Sequence, residues 1–382
     1  MNTMELIAPC HFGLESVLKR EIYDLGYEIS SVADGRVSFL ADEEGVCRAN
    51  INLRTAERVL INVASFKATS YDELFEGTKA IDWDRYLPEN AKFWVKKASS
   101  VKSKLFSPSD IQSIIKKAIV EKLKTVYHRN WFEEDGNEYP LRVSIMKDMV
   151  TIALDTSGES LHKRGYRQLR SGAPISETLA AALLMLTPWK KDRILVDPFC
   201  GCGTFPIEAA LMAANIAPGV NRDFTACDWS NLVEAKIWRD AYDEARDLED
   251  YDFHGDLQGY DIDGEVVKAA RANAKMAGVD KMIHFQQRDV ADLRHPKKYG
   301  FVVTNPPYGE RLEEKKNLKT LYEMIGERYR QLDSWSLYMI TAYEDAQRDI
   351  GRKADKNRKI YNGMMKTYFY QFQGPKPPKR EH

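Results

Sequence analysis

No run of 18 apolar residues occurs anywhere in the 382-residue chain, so no segment has the length and polarity of a membrane span. Residues 1–30 interleave apolar positions with Glu5, Glu15, Lys19, Arg20 and Glu21, and therefore form neither a secretory signal nor an anchor. A cytoplasmic address is the resulting expectation. Cysteine is scarce as well: Cys10, Cys47, Cys200, Cys202 and Cys227 are odd in number and scattered, which excludes a disulfide framework and fits a reducing compartment. Only Cys200 and Cys202 stand close together; without further Cys or His partners they imply no metal site and read as small loop residues. Long internal repeats are missing, and Gly374 to Arg380 is the one low-complexity tract.

Net charge is small too, at -1, but the charge is unevenly spread. Residues 1–50 hold nine acidic and four basic groups, whereas Lys92 to Arg129 holds ten Lys and Arg against Asp110 and Glu121 alone. Such a basic run is either a solvated helix face or a nucleic-acid contact. With 43% hydrophobic residues, a chain of this length buries the cores of two or three domains.

Two mixed α+β modules in series are expected first. Residues 1–56 read as strand, helix (Leu14 to Leu25), strand (Arg36 to Leu40) and helix (Glu43 to Asn52). Residues 57–155 read as strand (Leu60 to Phe66), helix (Tyr71 to Ala80), strand (Lys92 to Lys97), helix (Ser109 to Leu123) and strand (Met149 to Asp155). Ser107-Pro108-Ser109-Asp110 is a helix opening, and it places Lys116 and Lys117 on or beside the face opposite the apolar series Ile111 to Leu123. Residues 156–170 form a connector carrying Lys163, Arg164 and Arg167, either a hinge or an RNA contact. From 171 to 382, long helices alternate with the short apolar runs Ile194 to Val196, Gln258 to Asp261, Ile283 to Gln287, Phe301 to Thr304 and Ser336 to Thr341. That pattern predicts a doubly wound, Rossmann-like sheet. Asn362-Gly363 marks a hairpin, so an antiparallel strand should close the sheet.

Chemistry concentrates after those runs. Asp197-Pro198-Phe199-Cys200-Gly201-Cys202-Gly203-Thr204 follows a buried strand and opens a helix; it lacks the third glycine of a dinucleotide fingerprint, and a carboxylate at the strand end repels phosphate. Asp197 suits an ammonium group or ribose hydroxyls instead. Asp261 ends the next strand, where a carboxylate accepts hydrogen bonds from a ribose diol; Asp289 ends the third and can accept from an adenine amino group. The long gap between Asp197 and Asp261 requires an insertion, expected to be helical, over residues 211–257. Asn305-Pro306-Pro307-Tyr308 follows the strand Phe301 to Thr304: two prolines remove two N–H donors and leave carbonyls and the Asn305 side chain as acceptors. An exocyclic base amine is a poor nucleophile that needs such acceptors, and Tyr308 supplies a stacking face.

Together, the DPFCGCGT, GYDID and NPPYGERL segments resemble the class I amino-methyltransferases that modify RNA, and residues 1–155 resemble the ferredoxin-like and THUMP modules that precede them. The resemblance spans nearly the whole chain and extends to the N2-guanosine methyltransferases of large-subunit ribosomal RNA, including the connector Leu161 to Arg167. It implies S-adenosylmethionine as cofactor and RNA, specifically 23S ribosomal RNA, as partner. It further implies that Asp197, Gly201 and Gly203 contact the methionine end, Asp261 the ribose and Asp289 the adenine, with Phe199, Thr204, Ile262 and Asn305 completing the cofactor set. Asn305, Pro306, Pro307 and Tyr308 would hold the target base. Cys202 stands where relatives often carry serine, and a second methyltransferase domain found in some relatives does not follow, so one reaction is expected. The alternatives are an amino-methyltransferase acting on DNA adenine N6 or protein glutamine, and a non-catalytic RNA-binding assembly factor.

Overall fold

A computed structural model describes residues 3–167, 174–253, 255–309, 312–363 and 365–378, the side chains of 312–316 excepted. The end of the expected connector (168–170), Glu310 and Arg311 of the NPPYGERL segment, Met364 of the hairpin and Lys379 and Arg380 of the tail lie outside the described residues. Within them, no helix is long and apolar enough to cross a membrane.

The amino-terminal half supplies strands β1 (Met4–Pro9), β2 (Glu28–Ala33), β3 (Arg36–Ala41), β4 (Leu60–Lys67), β5 (Lys92–Val101), β6 (Glu138–Met146) and β7 (Met149–Asp155). Its helices are α1 (Glu15–Asp24), α2 (Glu43–Asn52), α3 (Tyr71–Lys79) and α4 (Pro108–Tyr127). The two expected modules share one seven-stranded sheet, in the order β2-β3-β1-β4-β7-β6-β5, joined where Leu6 and Ile7 pair with Ile61 and Leu60. Two of its strands escaped the sequence reading. β2 is a polar edge strand with little apolar alternation, and β6 carries Pro140, a residue that argues against a strand interior. α4 begins where the capping pattern predicts: the Ser107 hydroxyl accepts the Asp110 N–H, Pro108 occupies the first turn, and Ile111, Ile115, Ile119 and Leu123 are buried on one face.

In the carboxyl-terminal half, α5 (Glu177–Met185) leads into β8 (Leu195–Asp197), α6 (Thr204–Ala213), α7 (Ala235–Asp247), β9 (Leu257–Asp261) and α8 (Gly264–Met276). These are followed by β10 (Ile283–Gln287), β11 (Phe301–Thr304), α9 (Leu312–Gln331), β12 (Ser336–Thr341), α10 (Ala346–Ile350), β13 (Lys356–Asn362) and β14 (Met365–Phe372). The sheet order is β10-β9-β8-β11-β12-β14-β13. Its first five strands are parallel and the hairpin β13–β14 is antiparallel, with β13 at the edge. Parallel strands covered on both faces must be apolar throughout, which is why β11 and β12 are buried at every position.

The insertion after α6 is only partly helical, and it docks one half onto the other. Trp229 is fully buried and stacks on Tyr139 of β6, with ring centroids 4.9 Å apart, while its indole N–H donates to the Glu138 carbonyl at 2.8 Å. Arg48 of α2 makes a two-pronged contact with Glu244 of α7, at 2.8 and 3.0 Å. The connector is held as well. Ser157 donates to Asn50 Oδ1 at 2.6 Å, and Arg222 donates to the carbonyls of Glu159, Ser160 and Lys163. In this conformation the connector is thus tied to both halves.

Trp229→Ala should therefore destabilise the docked halves by about 3–5 kcal/mol, the usual cost of emptying a buried tryptophan site. A lower urea midpoint together with faster proteolytic cutting around residues 219–234 is the expected result; an unchanged midpoint would show that the insertion carries no docking energy.

Candidate active site

The parallel strands all point their carboxyl ends to one side, and the order reverses at β8, which has β9 on one flank and β11 on the other. A crevice opens at such a reversal because the two connections leave in opposite directions. Here it is a cavity of about 550 Å³, walled by the loops after β8, β9, β10 and β11.

The loop after β8 turns tightly. Cys200 N–H donates to the Tyr260 carbonyl at 2.8 Å and Gly203 N–H to the Cys200 carbonyl at 2.8 Å, with Gly201 and Gly203 at φ of 53° and 91°. Both are left-handed conformations that glycine adopts without steric cost. Gly203 caps α6 but does not line the cavity: a Cβ there would lie 3.1 Å from both Ala270 and Phe285, so its role is close packing. Gly201, Phe199, Thr204 and the two cysteines do line it. Burial, with Asp197 and Asp261 close by, pushes the Cys200 thiol well above its ordinary range, which keeps it protonated and a poor nucleophile.

Three carboxylates stand along the wall in different states. Asp197 is buried and accepts hydrogen bonds from the Thr304 hydroxyl at 2.6 Å and the Phe199 N–H at 3.1 Å. Burial outweighs those bonds and pushes its pKa up to about 7. Asp261 is half-buried and accepts the N–H groups of Gly201 and Asp263, both at 3.1 Å, and burial raises its pKa also. Asp289 is exposed and caps a short turn by accepting the Ala291 N–H at 2.8 Å. Ile262 and Val290 add apolar surface beside them.

Asn305, Pro306, Pro307 and Tyr308 line the same cavity. The Pro307 carbonyl is taken by the Tyr322 hydroxyl of α9 at 3.2 Å, and that hydroxyl also shares a 2.5 Å hydrogen bond with Thr341. The loop is thus fixed from behind while Asn305 remains half-buried at the cavity edge.

Sequence reasoning missed part of the wall: Pro174, Ile175 and Leu321 line it, and no motif marks them. It also misread the connector's arginines. Arg167 donates to the Ile175 carbonyl at 2.7 Å and to Thr204 at 3.4 Å, and pairs with Glu177 at 2.9 Å. Arg164 is buried, donating to the Leu161 and Arg54 carbonyls and lying 3.6 Å from Glu208. Both point inward and cannot reach RNA in this conformation. Lys116 is tethered to the Phe93 carbonyl at 2.6 Å and to Glu134 at 2.5 Å; Lys117 and Lys163 stand at exposed positions, Lys163 paired with Glu159 at 2.8 Å.

A parallel sheet with an antiparallel terminal hairpin and a strand-end crevice of this composition is that of a class I methyltransferase. The chain belongs to the family described as RMKL-like, methyltransferase domain, which it matches over residues 164–371. It also matches the RlmL ferredoxin-like domain over 5–60 and the THUMP domain over 68–155. It is 48% identical to “Putative RNA methyltransferase YpsC” of Bacillus subtilis (strain 168), covering 100% of this chain and 99% of that protein. SMU.472, crystallised in complex with SAH, superposes with a TM-score of 0.93 at 42% identity, covering 99% of this chain and 100% of that one. A predicted N6-adenine-specific DNA methylase from Listeria monocytogenes str. 4b F2365 gives a TM-score of 0.93 at 46% identity over 98% of this chain and 97% of that one.

The raised pKa of Asp197 has a defined sign. Its carboxyl holds a proton more tightly in the folded chain than in the unfolded one, so this contribution to stability is complete below the ordinary Asp range. It is lost as the pH rises toward about 7. Urea midpoints of the unliganded wild type should fall more steeply over that window than those of Asp197→Asn; parallel curves would mean that Asp197 is not the buried acid described.

Proposed function

We propose that the chain transfers the methyl group of S-adenosylmethionine to the exocyclic N2 of a guanosine in RNA, with 23S ribosomal RNA as substrate. The observation that carries this reading is the meeting, in one cavity, of the acceptor-rich Asn305 to Tyr308 loop with three strand-end carboxylates.

The donor set fits the cofactor. Asp197 and Asp261 stand where a cationic amino-acid end and a ribose diol need acceptors, and Asp289 offers an exposed acceptor to an adenine amino group flanked by Ile262 and Val290. Phe199, Gly201 and Thr204 complete that wall, with Gly203 setting the backbone that forms it. When bound, the cofactor supplies an electrophilic methyl group on a positively charged sulfur. The protein's part is positioning: Asn305 Oδ1 and the Pro306 carbonyl accept the two N–H groups of the target amine. They orient its lone pair and stabilise the positive charge that develops on nitrogen. Pro307 keeps the backbone extended, Tyr308 stacks on the extruded base, and the proton leaves to water after transfer.

The THUMP match and the name of the Bacillus relative support RNA as the acceptor; the name of the Listeria neighbour favours adenine N6 in DNA, since the same loop suits any planar amine. Exposed Lys117 and Lys163 fit phosphate contacts in the first reading.

The test is methyl transfer from labelled S-adenosylmethionine into ribosomal RNA from a strain deleted for the gene, followed by nucleoside mass analysis. N2-methylguanosine should appear, and Asn305→Ala should lower kcat by on the order of 100-fold. Label in DNA adenine, or in neither nucleic acid, would overturn the RNA reading. The affinity for S-adenosylmethionine should tighten as the pH rises through about 7, because a cationic ligand favours ionised Asp197, and calorimetry on Asp197→Asn should show that dependence flattened.

A further inference from the structure

One surface at the active-site end of the sheet plays no part in the chemistry above. β14 runs antiparallel to β12 with Tyr368 opposite Thr341, the last residue of β12. The rest of the β13–β14 hairpin toward its tip therefore projects beyond the carboxyl ends of the parallel strands, on the side where β11 leads into Asn305. Lys359 lies opposite Tyr368, and Tyr361 opposite Lys366, so these four side chains share one face. The Lys359 ammonium sits 5.1 Å from the Tyr361 ring centroid, and Lys366 sits 5.1 Å from that of Tyr368. Both lysines are exposed and both tyrosines half-exposed; Glu344 is the acidic group facing Lys366.

The amino-terminal half adds a third ring. Phe12 is 50% exposed and meets Tyr361 edge to face, centroids 6.4 Å apart. The loop carrying it is anchored to the hairpin, since Arg358 donates to the Gly13 carbonyl at 2.7 Å. Its neighbour His11 contacts the Ser176 hydroxyl at 3.2 Å, next to Ile175 of the cavity wall. A large apolar ring left half in water on an anchored loop thus lies beside two half-exposed tyrosines, of which Tyr368 stacks on Tyr370, and two exposed ammonium groups, Lys359 bonded to Tyr361 and Lys366 to Tyr368. Together they offer aromatic faces to unpaired bases and cations to the phosphates between them.

We propose that Phe12, Tyr361 and Tyr368, with Lys359 and Lys366, form a second RNA subsite that stacks unpaired nucleotides flanking the target base. The proposal rests on RNA being the acceptor and gives both halves of the chain a share in one strand-binding surface. Single-stranded rather than duplex RNA is the partner, because stacking on side chains requires bases released from pairing.

The experiment measures binding of the full chain to a short fluorescein-labelled single-stranded RNA of mixed sequence by anisotropy, across a salt series. Cofactor affinity is followed by calorimetry and folding by thermal midpoint. Phe12→Ala combined with Tyr361→Ala should weaken RNA binding by about tenfold or more at unchanged cofactor affinity and midpoint. Tyr361→Phe should retain binding. Lys359→Gln combined with Lys366→Gln should make the dependence of log affinity on log salt shallower by roughly one unit. If the wild type binds the RNA and both double variants bind it equally well, the subsite is wrong while the function stands. If the wild type binds and methylates only DNA or protein, the function and the subsite fall together.

Discussion

The hydrogen bond from the Thr304 hydroxyl to Asp197 joins the two strands at which the sheet order reverses. The glycine turn and the base-holding loop hang from its two ends, while Asp261 ends β9 and Asp289 follows β10. Asp197 begins the tight turn that carries Phe199 and Gly201, and Thr304 immediately precedes Asn305. Both partners are almost fully buried, so the hydroxyl has no water to replace the carboxylate and the carboxylate few donors to replace the hydroxyl. The distance between the turn and the base-holding loop is consequently set by the strand pairing of β8 and β11, a rigid element, rather than by loop conformation. Tyr322 completes the frame by holding the Pro307 carbonyl from behind.

A second constraint governs how the halves meet. Glu57 lies between His11 and His162, at 3.2 and 3.1 Å, and also accepts the Thr178 hydroxyl. Burial alone would raise its pKa, but these hydrogen bonds hold the carboxyl far below the usual range. Arg164 and Glu208 continue the same buried polar seam into the catalytic half, with Tyr166 donating to Glu208 at 2.9 Å. Such groups are costly to bury unless they are paired and hydrogen-bonded. Because Arg167 reaches from this seam to Ile175 and Thr204, the connector is tied to the cavity wall. That placement explains why charges resembling a nucleic-acid contact in sequence are spent on internal structure instead.

Much of the fold was legible in the residues. The alternation of apolar runs with helices, the capping signature at Ser107 and the Asn362-Gly363 turn correspond to elements within a few residues of where the pattern places them, since each is written in local chemistry. The cavity carboxylates and Asn305 were legible for a related reason: a class I site gathers strand ends, and strand ends are recognisable as carboxylates or prolines following apolar runs. The polar edge strand β2 and the proline-bearing β6 were not legible even though each forms a tight hairpin with the strand that follows it, because β2 exposes most of its polar residues and Pro140 argues against a strand interior.

What the sequence determined by itself was therefore the class of fold, the order of most of its elements and a set of strand-end residues that line one cavity, all of which depend on short-range periodicity and on residue type. Tertiary structure alone decided that two amino-terminal modules share a single sheet, that Ile175 and Leu321 wall the cavity, and that Arg164 and Arg167 face inward while Lys117 and Lys163 face water. A positive charge has the same chemical identity in either place. Only the packing of segments far apart in the chain determines whether a carboxylate, a carbonyl or solvent lies within its reach.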